Sequence, residues 1–279
     1  MKMETYRCTP RELLQNSRLP TRVMADEAAM MEEIAELMYQ EILAKPRNGR
    51  TVLICPVGPV AQYPLLARKL NQSNTPLNHV WFINMDEYLD DQGRNTQDKN
   101  LSFHHAMEQQ FFGQLHPQLL PPPSQRVFPD PADPQAVDRL LESLGGADLT
   151  LTGVGINGHL AFNEPPEPAD SCTDQQFASL PSRVLPISAA TLVNNGGRKI
   201  GGALDIFPRQ CVTLGMKSLL ASRKIKIYLY CDWQWGVMRR LSLEAPSRLC
   251  PASLLQNHPD AEMVVSQALL DFQMPHPPV

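Results

Sequence analysis

Nowhere in the 279-residue chain does a run of apolar residues approach the roughly 18 that a bilayer-crossing helix requires. The first residues, Met1 to Arg7, lack the apolar core of a secretory signal, so a soluble, cytoplasmic protein is expected. No run of Lys or Arg exceeds two residues and the formal net charge is −4, which leaves no electrostatic footprint for nucleic acid. Neither nucleic acid nor a membrane is therefore an expected partner. Six cysteines, at positions 8, 55, 172, 211, 231 and 250, show no CxxC spacing, which argues against a disulfide scaffold or a zinc ribbon and suits small buried hydrophobes. Internal repeats and interior linkers are also missing. What is present is a globular balance: 43% hydrophobic and 19% charged residues can bury enough surface to offset the entropy of ordering.

Twenty-six prolines, gathered in a few places, divide the chain. Residues 1–25 read as an arm with one helical turn from Pro10 to Asn16, and 26–279 as a single α/β domain. Asp26 is placed to cap a helix to about Ala44, because Met30, Ile34, Leu37, Met38 and Ile42 recur at spacings of three and four; Pro46 and Gly49 end it. Thr51–Cys55, Val80–Asn84, Ala147–Gly153 and Lys224–Tyr230 are short apolar runs that suit strands buried on both faces. Helices are expected between them at Tyr63–Leu70, Ser102–Phe112, Asp133–Leu144, 216–221 and 233–243, with a late strand near 261–265. Asp86–Asn100 reads as a polar loop, 166–182 as a mobile flap, Val184–Ile187 as an edge strand and 211–215 as a further strand. Strands alternating with helices predict a three-layer α/β/α protein with a mainly parallel, Rossmann-like sheet, whose sites form at the carboxyl ends of strands.

Two strand ends carry ionisable groups: Asn84-Met85-Asp86-Glu87-Tyr88, and the segment Gly153-Val154-Gly155-Ile156-Asn157-Gly158-His159-Leu160-Ala161-Phe162-Asn163-Glu164-Pro165. An Asp just past a strand is also a common turn former, and a lone His in a glycine-rich loop is a weak signal. Together, a carboxylate and a His–Glu pair five residues apart are suited to acid–base catalysis. Gly153, Gly155 and Gly158 permit a tight turn and close backbone approach to a ligand. The embedded GxGxxG is not a nucleotide fingerprint, since His159, Phe162 and Pro165 follow it instead of a regular helix. Neighbouring positions on a helix diverge, so His104 and His105 do not form a joint metal site, and neither metal nor cofactor is expected.

Four blocks resemble the glucosamine-6-phosphate deaminase/isomerase family, whose members share a sheet architecture with 6-phosphogluconolactonases: Asn84–Tyr88, Gly153–Pro165, Val212–Gly215 and Pro251–Pro259. Phe162-Asn163-Glu164-Pro165 favours the deaminase branch. The resemblance implies a ring-opened amino sugar that loses a proton at C2, passes through an enediol-like or enolamine intermediate, and regains a proton at C1 before ammonia leaves. It places Asp86 as the proton-shuttling carboxylate, His159 as the group assisting ring opening, and Glu164 as the carboxylate that orients it. Asn157 falls where the best-known deaminases have Asp, which leaves His159 one charge partner fewer. A small sugar is the implied partner, and a homo-oligomer is compatible with the family.

The chain departs from that family at its phosphate contacts. A Gly-Gly/Ser-Thr-Pro loop is usual after the first strand, whereas Cys55–Tyr63 keeps only the outline through Gly58, Pro59 and Tyr63. Pro56 and Pro59 remove N–H donors. The family's phosphate-binding Arg falls near Thr191 and its later Lys near Trp235. Arg183, Arg198, Lys199 and Lys217 are candidates to restore an anion site; Trp233 and Trp235 suit either a stacking contact or helix core. The expected substrate-binding set is Gly58, Pro59, Gly155, Gly158, Arg198 and Trp235. Two other readings stay open: a sugar-lactone hydrolase of the same fold, and a sugar-sensing homologue without catalysis.

Overall fold

The computed structural model describes residues 1–45 and 49–273. Seven parallel strands form the central sheet: β1 (Thr21–Met24), β2 (Thr51–Cys55), β3 (Val80–Asn84), β5 (Arg126–Val127), β6 (Leu149–Thr152), β9 (Lys224–Leu229) and β10 (Ala261–Ser266), in the order β1-β10-β9-β6-β2-β3-β5. A second, antiparallel sheet, ordered β4-β8-β7, joins β4 (Asp86–Leu89), β7 (Arg183–Pro186) and β8 (Gln210–Thr213). This small sheet corrects the expected loop beginning at Asp86 and moves residues 210–213 out of the parallel sheet. Val184 does lie on an edge strand, of the smaller sheet.

Side chains alternate across a strand, so each strand of the large sheet feeds both faces. Val52, Ile54, Ile227 and Val265 pack with Leu141 of α6 (Ala136–Leu144), Leu219 of α9 (Met216–Leu220) and Met238 of α10 (Trp235–Leu243). Leu53, Phe82, Leu151 and Val264 pack on the other side with α3 (Glu27–Ala44), α4 (Gln62–Ser73) and α5 (Phe103–Gln110), through residues such as Met38, Leu66 and Met107. Helices on both faces give the three layers. Asp26 caps α3 by accepting from the Ala29 N–H at 2.8 Å, and Lys45 ends it in the left-handed conformation; Pro46 lies outside the described residues.

The N-terminal arm has more structure than its sequence suggests. α1 (Met3–Arg7) and α2 (Pro10–Asn16) lie against α10, and β1 closes one edge of the large sheet by pairing with β10. The segment expected to be a flap contains α7 (Asp174–Ala178), capped by Thr173 and Gln176 and anchored by buried Phe177. Two further helices, α8 (Ala189–Ile200) and α11 (Gln267–Leu270), were not anticipated. Among the described residues no helix is long and apolar enough to cross a membrane.

The strand order reverses at β2: the chain adds β3 and β5 on one side, then β6, β9 and β10 on the other. In open α/β sheets ligands bind outside the carboxyl ends of the strands at such a reversal. The loops leaving β2, β6 and β3 converge on that position.

Candidate active site

The loop after β6 is folded by its own backbone. Gly158 N–H donates to the Gly155 carbonyl at 2.9 Å and Gly155 N–H to the His159 carbonyl at 3.0 Å. This turn lays the His159 imidazole directly over Gly155: a Cβ there would stand 2.1 Å from Nε2 and Cε1. Gly158 has φ of +91°, and a Cβ on it would stand 2.5 Å from Cys250 Sγ. Both glycines are thus required by the turn that presents His159. Ala161 adopts φ of 51°, sparsely populated for a residue with a side chain.

His159 is buried, and its Nδ1 faces three oxygens: Asn157 Oδ1 at 2.9 Å, Glu164 Oε2 at 3.3 Å and Thr191 Oγ1 at 3.3 Å. Two of these are acceptors only, which favours the tautomer with hydrogen on Nδ1 and leaves Nε2 with a free lone pair. Asn157 also donates to Glu164 Oε2 at 2.5 Å and to Ser188 Oγ at 3.2 Å. Burial pushes the Glu164 carboxyl up, but His159 and the donors Thr191 and Asn157 outweigh it and hold its pKa down at about 2. Glu164 is therefore a carboxylate at any working pH.

Asp86 opens β4, one residue after β3 ends, and lies opposite Thr213 of β8. Thr213 Oγ1 accepts from the Phe162 N–H at 2.9 Å, tying β8 to the loop that carries His159. Asn163 strengthens the link: its amide donates to the Leu214 carbonyl at 2.8 Å and its oxygen accepts from Arg183 at 2.8 Å. The Phe162 ring lies 5.9 Å from His159 and 5.2 Å from Tyr88, two positions along from Asp86. Burial, reinforced by Glu87 and opposed by Lys199, raises the Asp86 carboxyl to a pKa of about 8. A carboxyl poised there exchanges protons readily near neutrality.

Glu87 points elsewhere. Its carboxylate accepts from Tyr88 N–H, Ser102 Oγ, Phe103 N–H and His104 N–H at 2.9–3.0 Å, so it satisfies donors at the start of α5. Burial raises its pKa and these bonds oppose the rise.

The expected substrate-binding residues divide. Gly155 and Gly158 belong to the His159 turn. Gly58 and Pro59 sit at the end of β2, where Gln62 Nε2 donates to the Pro59 carbonyl at 2.8 Å and Tyr63 Oη to the Pro56 carbonyl at 2.5 Å. Arg198 is exposed, stacked 5.0 Å over the Trp233 ring and directed at Cys231 Sγ at 3.8 Å. Of the two readings of Trp235, its contacts are those of helix core: its indole N–H donates to the Phe272 carbonyl at 2.9 Å, the Arg239 guanidinium covers its ring at 3.7 Å, and Tyr6 meets it edge-on. It belongs to the helix core, joining the N-terminal arm to the end of the described chain. Arg183 is engaged by Asn163, and Lys217 pairs with Glu142 at 2.7 Å. Among the described residues no group of three or more His, Cys, Asp or Glu is arranged to hold a metal.

Helix α8 was missed in the sequence, and it spans both halves of the site. Thr191, Asn195 and Lys199 follow at intervals of four and so share one face. Thr191 meets His159, Asn195 Nδ2 donates to Tyr88 Oη at 3.1 Å, and the Lys199 ammonium lies 4.6 Å over the Phe103 ring and 5.7 Å over that of Tyr88. The four-residue spacing was the available signal, obscured by Gly196 and Gly197.

Known proteins resemble this chain along most of its length. The glucosamine-6-phosphate deaminase of Geobacillus sp. (strain WCH70) is 28% identical over 260 residues, 89% of this chain and 93% of that protein. The glucosamine-6-phosphate deaminase of Cellvibrio japonicus is 29% identical over 256 residues, 88% of each chain. The solved structure of a monomeric glucosamine-6-phosphate deaminase matches with a TM-score of 0.77 at 25% identity, over 91% of this chain and 100% of that one. A 6-phosphogluconolactonase from Trypanosoma cruzi shares the fold, with a TM-score of 0.64 at 15% identity over 92% of this chain and 97% of that one. No family model matches the chain. By sequence and fold together, the chain is similar to glucosamine-6-phosphate deaminases over most of its length.

Proposed function

We propose that this protein is an amino-sugar aldose–ketose isomerase/deaminase, similar in its chemistry to glucosamine-6-phosphate deaminases and altered in how it holds the sixth carbon of its substrate. The observation that carries this reading is the placement of two proton-transfer groups on either side of β2: His159, with Asn157 and Glu164, beyond β6, and Asp86 beyond β3. In this reading Asp86 takes a proton from C2 of the ring-opened sugar and returns one to C1, since one carboxylate can serve two adjacent carbons first as base and then as acid. His159 moves the ring-opening proton through Nε2, while Glu164 and Asn157 hold its ring and tautomer.

Three features support an altered sixth-carbon pocket. Prolines at 56 and 59 deprive the β2 loop of N–H donors, Thr191 is committed to His159, and Trp235 is buried among Tyr6, Arg239 and Phe272. Each charge-assisted contact missing from a phosphate is worth about 1.5–3 kcal/mol, so their joint loss weighs heavily against binding a phosphate there. The test is a panel of free and 6-phosphorylated amino sugars assayed for ammonia and ketose. Formation of both products supports the assignment, and preference for a free sugar supports the altered pocket. A uniformly inactive panel defeats the assignment; hydrolysis of a sugar lactone without isomerisation would replace it with the hydrolase reading.

A further inference from the structure

β4 and α8 face each other across the Asp86 side of the site. Asp86 and Tyr88, two apart on a strand, project to the same face of β4, and Glu87 to the opposite one. α8 is fastened over that face by the bond from Asn195 to the Tyr88 hydroxyl. One turn further, Lys199 is on the same stripe, with its ammonium over the Tyr88 and Phe103 rings. Aromatic faces attract a cation and hold it in place without neutralising it.

We propose that Lys199 is a positioning residue for Asp86: its ammonium, held over Tyr88 and Phe103, is the positive charge that opposes burial and Glu87 and so favours the carboxylate form of Asp86. The inference rests on the proposed role of Asp86 and adds a residue to it. The other titratable or charged groups bearing on the pair are Glu87 and Tyr88 on β4, Cys211 on β8 and Arg198 on α8. Glu87 opposes ionisation of Asp86, and burial keeps the Cys211 thiol and the Tyr88 phenol protonated. Arg198, directed at Cys231 and Trp233, acts on Lys199 itself, which is exposed as a residue while its ammonium end is partly desolvated over the two rings; that desolvation chiefly lowers its pKa, and Asp86 and Glu87 oppose the fall. Among these groups Lys199 is the cation that bears on Asp86.

The experiment compares the parent protein with Lys199→Met, Lys199→Gln and Lys199→Arg. Asp86 is titrated by carbon NMR of labelled aspartate carboxyls, with the Asp86 signal identified by its loss in Asp86→Asn. Met and Gln remove the charge and are expected to raise the Asp86 midpoint by about half a unit, a shift kept modest by the solvent around Lys199. Arg is expected to restore it. The acidic limb of kcat/KM for ammonia release should move in step, a loss of roughly threefold below the midpoint. An Asp86 midpoint unchanged in both neutral variants overturns the proposal, as does a shift that Arg fails to reverse, which would mark a packing role. A parent without ammonia release defeats the proposed function, and the NMR titration still decides the role of Lys199.

Discussion

At the level of single residues, the site is built by what surrounds His159. Because the imidazole rests on Gly155, Gly155→Ala must displace the ring that the turn exists to present. We expect a destabilisation of about 1–3 kcal/mol from overpacking and a loss of turnover on the order of a hundredfold from the misplaced ring, read by chemical denaturation and by ammonia release. Glu164 gives a prediction in pH. Its pKa is depressed from an ordinary 4.5 to about 2, so the stability it contributes is complete above pH 4.5 and is lost as pH falls towards 2. Glu164→Gln should therefore be less stable at pH 7 by about 1–3 kcal/mol, with the gap closing across that window; urea titrations showing the same gap at pH 2 would contradict it. His159 and Glu164 were legible in the sequence because they share one short segment. Thr191, the third oxygen on Nδ1, was not, since its bond to His159 crosses 32 positions and depends on a helix with no clear signature.

Elements differ in how plainly they are written. The inner strands of the large sheet are continuous apolar runs, and these were read to within one or two residues. β4, with the sequence Asp-Glu-Tyr-Leu, looks like a loop because its acids are buried by tertiary partners that no local pattern reveals. α8 carries Asn194-Asn195-Gly196-Gly197, each glycine costing a helix about 1 kcal/mol relative to alanine. Only one of the pair is repaid by packing. A Cβ at Gly196 would come 2.5 Å from Leu204 Cδ2, whereas one at Gly197 meets nothing within 4 Å. Gly197→Ala should stabilise the protein by about 0.5–1 kcal/mol and Gly196→Ala should not; equal melting temperatures for the two variants would refute this account of α8. At Trp235 two readings were open, a substrate contact from the resemblance and helix core from the pattern, and its ring completes a contact between the N-terminal arm and α10.

For the whole molecule, the reversal of strand order at β2 sets the distance between two proton-transfer groups, and the fold class that produces it was evident from the alternation of strands and helices. Asp86 is protonated below about pH 8 and a base only above it. If it is the base, kcat/KM rises with pH to a midpoint near 8 and then levels. A profile already flat from pH 6 upward would exclude Asp86 from that role. Asp86→Asn should reduce turnover by at least about a hundredfold while leaving sugar binding, measured by calorimetry, in place. An unchanged biological output in that variant would point instead to sensing.

Glu87 and its three bonds to the start of α5 carry a final consequence. β4 begins with two carboxylates side by side, and in a strand a slip of one position turns every side chain to the opposite face. Sliding β4 by one residue along β8 would bring Glu87 to the α8 side and send Asp86 to α5, exchanging one acid for another a methylene longer. Composition would not distinguish the two alignments, because each puts a carboxylate in the site. The α5 terminus distinguishes them: its donors sit at the reach of a glutamate, and each bond to Glu87 weighs against the slipped pairing. A side chain that takes no part in the proposed chemistry thereby selects which acid performs it.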